Sequence, residues 1–156
     1  MKAVGHFEFD FGLSYTEFDT GNVLDVNVVG GPLPPFANKS MGIAPGGLRD
    51  LWTTSAVATV GITNSGNRTG FAVMQLYISL PQDTTPAGTP VKILRGFEKV
   101  CLEPGESKQL NFESTRDLSY WNVEEQQWVI PTGSLTFKAG FGSRDLRSQK
   151  KIVVLQ

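Results

Sequence analysis

The sequence predicts an all-β protein, a two-sheet β-sandwich of seven or eight short strands. Three observations lead there. Short runs alternate apolar and polar residues with a period of two. Turn signals separate those runs roughly every ten residues, the glycines (17) and prolines (9) falling between apolar segments. No stretch carries the apolar stripe of an amphipathic helix. Together these are the marks of a sandwich rather than of a helical or mixed domain.

Near the N-terminus, LSYTEFD (13–19) and VLDVNVV (23–29) supply one or two strands. GGPLPPFANKSMGIAPGG (30–47) follows, with four prolines, five glycines and no periodicity. A loop of that length is either a functional excursion or poorly ordered. AVATVGIT (56–63) is the clearest strand, with Val60 and Ile62 on one face, and the turn signal NSGN (64–67) ends it. FAVMQLYISL (71–80) puts Ala72, Met74, Leu76, Ile78 and Leu80 on one face and Phe71, Val73, Gln75, Tyr77 and Ser79 on the other, as in a central strand. VKILRGFEKVCL (91–102), the tight turn EPGES and KQLNFEST (108–115) come next, the last burying Leu110 and Phe112. SLTFKAGFG (134–142) aligns Leu135, Phe137, Ala139 and Phe141, and KIVVLQ closes the chain as a strand.

At 156 residues, 40% hydrophobic and 19% charged, the chain has enough material for one domain with a core. Its net charge of −1 gives no footprint for nucleic acid or an anionic membrane. No apolar run approaches the ~20 residues of a membrane helix. The opening MKAVGH has no apolar stretch of signal-peptide length, so for a secreted protein the signal is expected to lie outside this chain. The single cysteine, Cys101, excludes an internal disulfide, and its neighbours Val100 and Leu102 mark it as a small buried filler. NKS at Asn38 and NRT at Asn67 are N-glycosylation sequons.

Chemistry is sparse. There is no phosphate loop, HExxH or GxSxG, and His6 is the single histidine, so a Ser-His-Asp triad has little to build on. A metal site would need oxygen ligands alone, without EF-hand spacing to supply them. The acids Asp50, Asp117, Glu124, Glu125 and Asp145 lie mostly in turns and read as solvated or turn-forming groups rather than a glycosidase pair. RDL recurs at 49–51, 116–118 and 144–146, where Arg and Asp tie down turns through ion pairs or Asx-type bonds. Neither catalytic residue nor cofactor is expected. LSYWNVEEQQWVIPTG (118–133) concentrates aromatics; with Trp52 they are either core and turn anchors or a platform for stacking on a sugar.

FEFDFGLSYTEF (7–18) resembles the hinge leading out of the second domain of glycoside hydrolase family 3 β-glucosidases, secreted fungal ones in particular. VGITNSGNRTGFAVMQLYISLP (60–81), PVKILRGFEKVCLEPGES (90–107) and TRDLSYWNVEEQQWVIPTGSLTFKAGFGSRDLR (115–147) resemble that family's C-terminal fibronectin type III-like domain, an immunoglobulin-like sandwich. The resemblance implies that residues 1–13 are a hinge from a preceding domain and 14–156 the sandwich, with a variable loop at 30–50. It also implies a piece of a longer, extracellular enzyme whose catalytic Asp and Glu lie in domains outside this chain. The partners implied are the catalytic domains of the same polypeptide, with Phe7, Phe9, Phe11 and Leu13 as candidates for the interface. The alternative is a module that binds cellulose, another glycan or lignin through Trp52, Tyr120, Trp121 and Trp128. The pattern places Leu118 and Tyr120 on one side of the corner and Trp121 on the other, with most of the rings holding the sandwich together.

Overall fold

Side-chain alternation decides the strands. In the computed structural model, which describes Gly12 and residues 14–155, every second residue of β4 (Ala56–Asn64) is buried: Ala56, Ala58, Val60, Ile62 and Asn64. β1 (Phe18–Val28) and β7 (Ser107–Ser114) pair antiparallel on either side of β4 and complete a three-stranded sheet. The facing sheet has four strands in the order β11-β10-β5-β6, all antiparallel. These are β5 (Gly70–Ser79), β6 (Ile93–Leu102), β10 (Gly133–Gly140) and β11 (Leu146–Val154). Two short hairpins stand outside the sheets: β2 (Ile43–Ala44) with β3 (Gly47–Leu48), and β8 (Tyr120–Asn122) with β9 (Gln127–Val129). Among the described residues the only helices are single 3-10 turns at Lys39–Met41, Arg49–Trp52 and Arg116–Leu118.

The two inner faces make one core. β5 contributes Ala72, Met74, Leu76 and Ile78, with Leu80 after it; β10 contributes Leu135, Phe137 and Ala139; β7 contributes Leu110 and Phe112. This is the all-β two-sheet sandwich that the alternation predicts, with Phe137 fully buried.

Three local readings change, and the alternatives left open for the Pro/Gly-rich loop narrow. The two N-terminal runs merge into one strand, β1, interrupted by a register shift between Thr20 and Leu24, and Ser14–Glu17 lie outside it. β11 starts at Leu146, before KIVVLQ, because its inward residue near the start is Ser148, a polar group that hides the period. Cys101 is exposed. Strand neighbours face opposite ways, so buried Val100 and Leu102 require Cys101 to point outward. The Pro/Gly-rich loop is pinned, since Leu33 is buried in the core and the Ile130 amide donates to the Pro35 carbonyl at 3.0 Å. Phe36 also bridges Val129, and the Asn38 amide donates to the Asp50 carboxylate at 2.7 Å. Urea unfolding tests both positions: Leu33→Ala is expected to cost about 2–3 kcal/mol, and Cys101→Ser no more than about 0.5 kcal/mol.

The end of β4 is closed by a polar knot. Asn64 is fully buried, and its side chain makes four hydrogen bonds. Its Oδ1 accepts from Thr16 Oγ1 at 2.8 Å and the Gly66 amide at 3.1 Å; its Nδ2 donates to the carbonyls of Arg68 at 2.8 Å and Leu102 at 2.9 Å. The chain entering β1, the β4–β5 turn and the end of β6 therefore converge on one amide.

Candidate functional site

Three distant segments bring the tryptophans together. Trp52 ends the 3-10 turn of the pinned loop, Arg116 opens the 3-10 turn after β7, and Trp121 and Trp128 face each other across the β8–β9 hairpin. The Arg116 guanidinium lies 4.4 Å from the Trp52 ring centre and 5.6 Å from that of Trp128. Trp121 and Trp128 meet edge to face, 5.7 Å apart. Tyr120 packs against the core while Trp121 points out of it, which is the division the alternation predicts. Trp52 and Trp121 each keep 47% of their surface exposed, and Trp128 is half-buried. A cleft of about 290 Å³ opens beside Trp121 and Trp128, bounded also by Leu48, Leu51, Gln126 and Gln127. The hairpin turns at Gln126, whose φ of 49° is left-handed, and Asn122 Oδ1 accepts from the amides of Glu124 and Glu125.

The three RDL copies are turn ties, by three different means. Asp50 holds the Asn38 amide. The Arg116 carbonyl accepts from the Ser119 amide and hydroxyl, while Asp117 pairs with Arg95 at 3.7 Å. Burial lowers the Arg95 pKa, and the charge of Asp117 opposes that shift. In the last copy it is Arg147, rather than the motif's own Arg144, that grips Asp145 with two hydrogen bonds of 2.8 and 2.9 Å. Arg147 also donates to the Phe18 carbonyl at 2.7 Å and lies 4.6 Å over Phe141. Its hydrogen bond to Asp145 raises its pKa.

The outer faces of the two sheets differ sharply. On the three-stranded sheet, Thr59 pairs with Asn111 and Thr63 with Ser107 through side-chain hydrogen bonds of 2.8 and 2.7 Å. On the four-stranded sheet, the outward rows of β5 and β6 read Phe71 beside Cys101, Val73 beside Lys99, Gln75 beside Phe97 and Tyr77 beside Leu94. Phe71 is 64% exposed, Phe97 72% and Leu94 46%. The Tyr77 hydroxyl donates to Gln75 Oε1 at 2.5 Å, both residues buried. Lys99 Nζ lies 4.8 Å from the Phe71 ring centre and Lys92 Nζ 5.7 Å from that of Tyr77. Among the described residues no group of three His, Cys, Asp or Glu side chains is placed to hold a metal, and no helix is long and apolar enough to cross a membrane.

A family model described as a fibronectin type III-like domain matches residues 72–143. The probable β-glucosidase G of Neosartorya fischeri is 49% identical over 150 residues, covering 94% of this chain and 18% of that protein. Its counterpart in Emericella nidulans is 48% identical over 142 residues, covering 90% and 17%. The crystal structure of the β-D-glucoside glucohydrolase from Trichoderma reesei matches with a TM-score of 0.84 at 41% identity, over 96% of this chain and 20% of that one. Residues 72–143 thus form a fibronectin type III-like domain, and over at least nine-tenths of its length the chain is similar to one stretch of fungal β-glucosidases.

This fibronectin type III-like domain spans less than a quarter of the length of those relatives, and the stretch it matches is a non-catalytic region of them. Its three strands facing four carry two features of unequal visibility in the sequence. The tryptophan cleft uses residues that the sequence singles out. The apolar outer face of β5 and β6 does not, although the second face of FAVMQLYISL, with Phe71, Val73 and Tyr77, already carries the signal. Asn67 is exposed in the β4–β5 turn, and Asn38 is exposed with its Oδ1 accepting from the Ser40 amide and hydroxyl. Phe7, Phe9, Phe11 and Leu13 lie outside the described residues.

Proposed function

We propose that this fibronectin type III-like domain is a structural accessory of a secreted fungal β-glucosidase, stabilising the enzyme by packing on its catalytic domains. The observation that carries the reading is the coverage: the domain matches fungal β-glucosidases over at least nine-tenths of its own length but only 17–20% of theirs. An apolar sheet face left open to water supports it, because exposed apolar patches on a folded domain mark interaction surfaces. Secretion agrees with the exposed sequon at Asn67. The reading is tested by scanning calorimetry of the full-length enzyme and of a version lacking this domain. Loss of the domain is expected to lower the melting temperature by several degrees, and identical profiles would remove the stabilising role.

A second reading rests on the tryptophan cleft. Exposed Trp121, lining the cleft with Trp128, Gln126 and Gln127, and exposed Trp52 outside its lining offer rings and polar side chains to cellulose, another glycan or lignin. Co-sedimentation of the chain with microcrystalline cellulose and with lignin tests it. Retention that is lost in Trp121→Ala supports binding, and complete recovery of the wild type in the supernatant ends this reading.

A further inference from the structure

We propose that the outer face of β5 and β6, centred on Phe71, Phe97 and Leu94, is the surface on which the catalytic part of the same polypeptide packs. The inference rests on the accessory-domain reading and specifies the face. Phe71 and Phe97 project from adjacent strands on one side of the sheet, four residue pairs apart along the ladder, with the Val73–Lys99 pair between them on the same face. Leu94, opposite Tyr77, extends the row along the edge strand β6. Both phenylalanines leave most of their surface in water, where large apolar side chains gain nothing. The opposite sheet shows the alternative, an outer face whose residues pair with one another through hydroxyl and amide groups.

Two observations point to the occupant. More than three-quarters of each relative's chain lies outside the matched stretch, so a large covalently attached partner is at hand. The chain also enters the sandwich beside this face: Gly12, Ser14, Thr16 and Glu17 line the same groove as Phe71 and Val73. Whatever precedes the domain is therefore delivered to the face by the backbone itself, at high effective concentration. Lys99 and Lys92, held over the rings of Phe71 and Tyr77, fit a partner surface that is apolar at its centre and acidic at its rim. The same lysines disfavour a second copy of the chain, since like charges would meet across the symmetry axis.

The test compares the double variant Phe71→Asp/Phe97→Asp with Thr59→Asp/Thr63→Asp on the opposite face, each in this chain and in the full-length enzyme. Melting of the isolated chain should shift by no more than about 2 °C for the phenylalanine variant. In the full-length enzyme that variant should lose most of the stabilisation that deletion of the domain removes, and the threonine variant should lose none. Phe97→Ser alone, expected to act in the same direction, covers the case in which two aspartates prevent folding. A full-length enzyme indifferent to the phenylalanine variants, yet weakened by deletion, would overturn the choice of face and leave the accessory role standing. Indifference to deletion would instead remove the accessory role. Concentration-dependent dimers of the wild-type chain that Phe97→Asp abolishes would overturn the inference by assigning the face to a second copy.

Discussion

Asn64→Ala is expected to destabilise this domain by about 3–5 kcal/mol, lowering its melting temperature by roughly 6–20 °C. The side chain satisfies four partners at once, and the residue has no access to water. Truncation strands the carbonyls of Leu102 and Arg68, the Gly66 amide and the Thr16 hydroxyl, and it leaves a small cavity. A buried group that loses its partner costs far more than one hydrogen bond contributes. Because the knot also fixes the chain entering β1, the variant should show faster amide exchange at residues 16–18 and 64–70. Asn64→Asp separates hydrogen bonding from volume. It keeps the shape but turns two donated bonds into repulsions between a carboxylate and the carbonyls of Arg68 and Leu102. A carboxyl buried there has its folded pKa raised above its unfolded value, so the unfolded state ionises first as pH rises. The deficit of that variant should therefore shrink as pH falls from 7 toward 4.

Gly140→Ala should cost about 3 kcal/mol or more, through overlap rather than lost bonding. Gly140 sits at the register shift between β10 and β11, opposite Leu146. A Cβ there would overlap the Asp145 carbonyl oxygen and come within 2.8 Å of the Asp145 carbonyl carbon and of Leu146 Cα. These are backbone atoms, and the Phe141 amide already holds the Asp145 carbonyl at 3.0 Å. No rotamer change relieves such a contact, so the β10–β11 pairing must open or shift. Gly142, two residues on, has nothing within 4 Å of the corresponding position. Gly142→Ala is the matched control, expected to stay within about 0.5 kcal/mol of the wild type, and thermal unfolding of the pair is the measurement.

The fold was legible wherever one face of a strand meets the core. β4, β5, β7 and β10 announce themselves because their inward residues are apolar at every second place. The start of β11 is hidden by inward Ser148, and Cys101 was misread because burial of its neighbours argues for its own exposure in a strand. Asn64 reads as the first residue of a turn, NSGN; its role comes from Thr16 and Leu102, far away in sequence. The aromatic corner was half legible for the same reason. Alternation separates Tyr120 from Trp121, but no local pattern places Arg116 between Trp52 and Trp128. Phe71 and Phe97 were overlooked as a surface because an apolar residue on the outer face of a strand reads like any other strand residue. Only the register, which sets Phe97 beside Gln75 and Phe71 beside Cys101, turns them into a patch.

That register also supplies the most direct measurement. Cys101 is the only cysteine of the chain, is exposed, and stands next to Phe71 on the face assigned to the catalytic domains. Its rate of alkylation is read by peptide mass spectrometry in the isolated chain and in the full-length enzyme, both folded, with each unfolded sample as reference. Ready modification is expected in the isolated chain and at least tenfold slower modification in the full-length enzyme, with Phe71→Asp/Phe97→Asp restoring the faster rate. Equal rates in the two folded wild-type proteins would contradict that assignment, because the face would then be open to water in the enzyme as well.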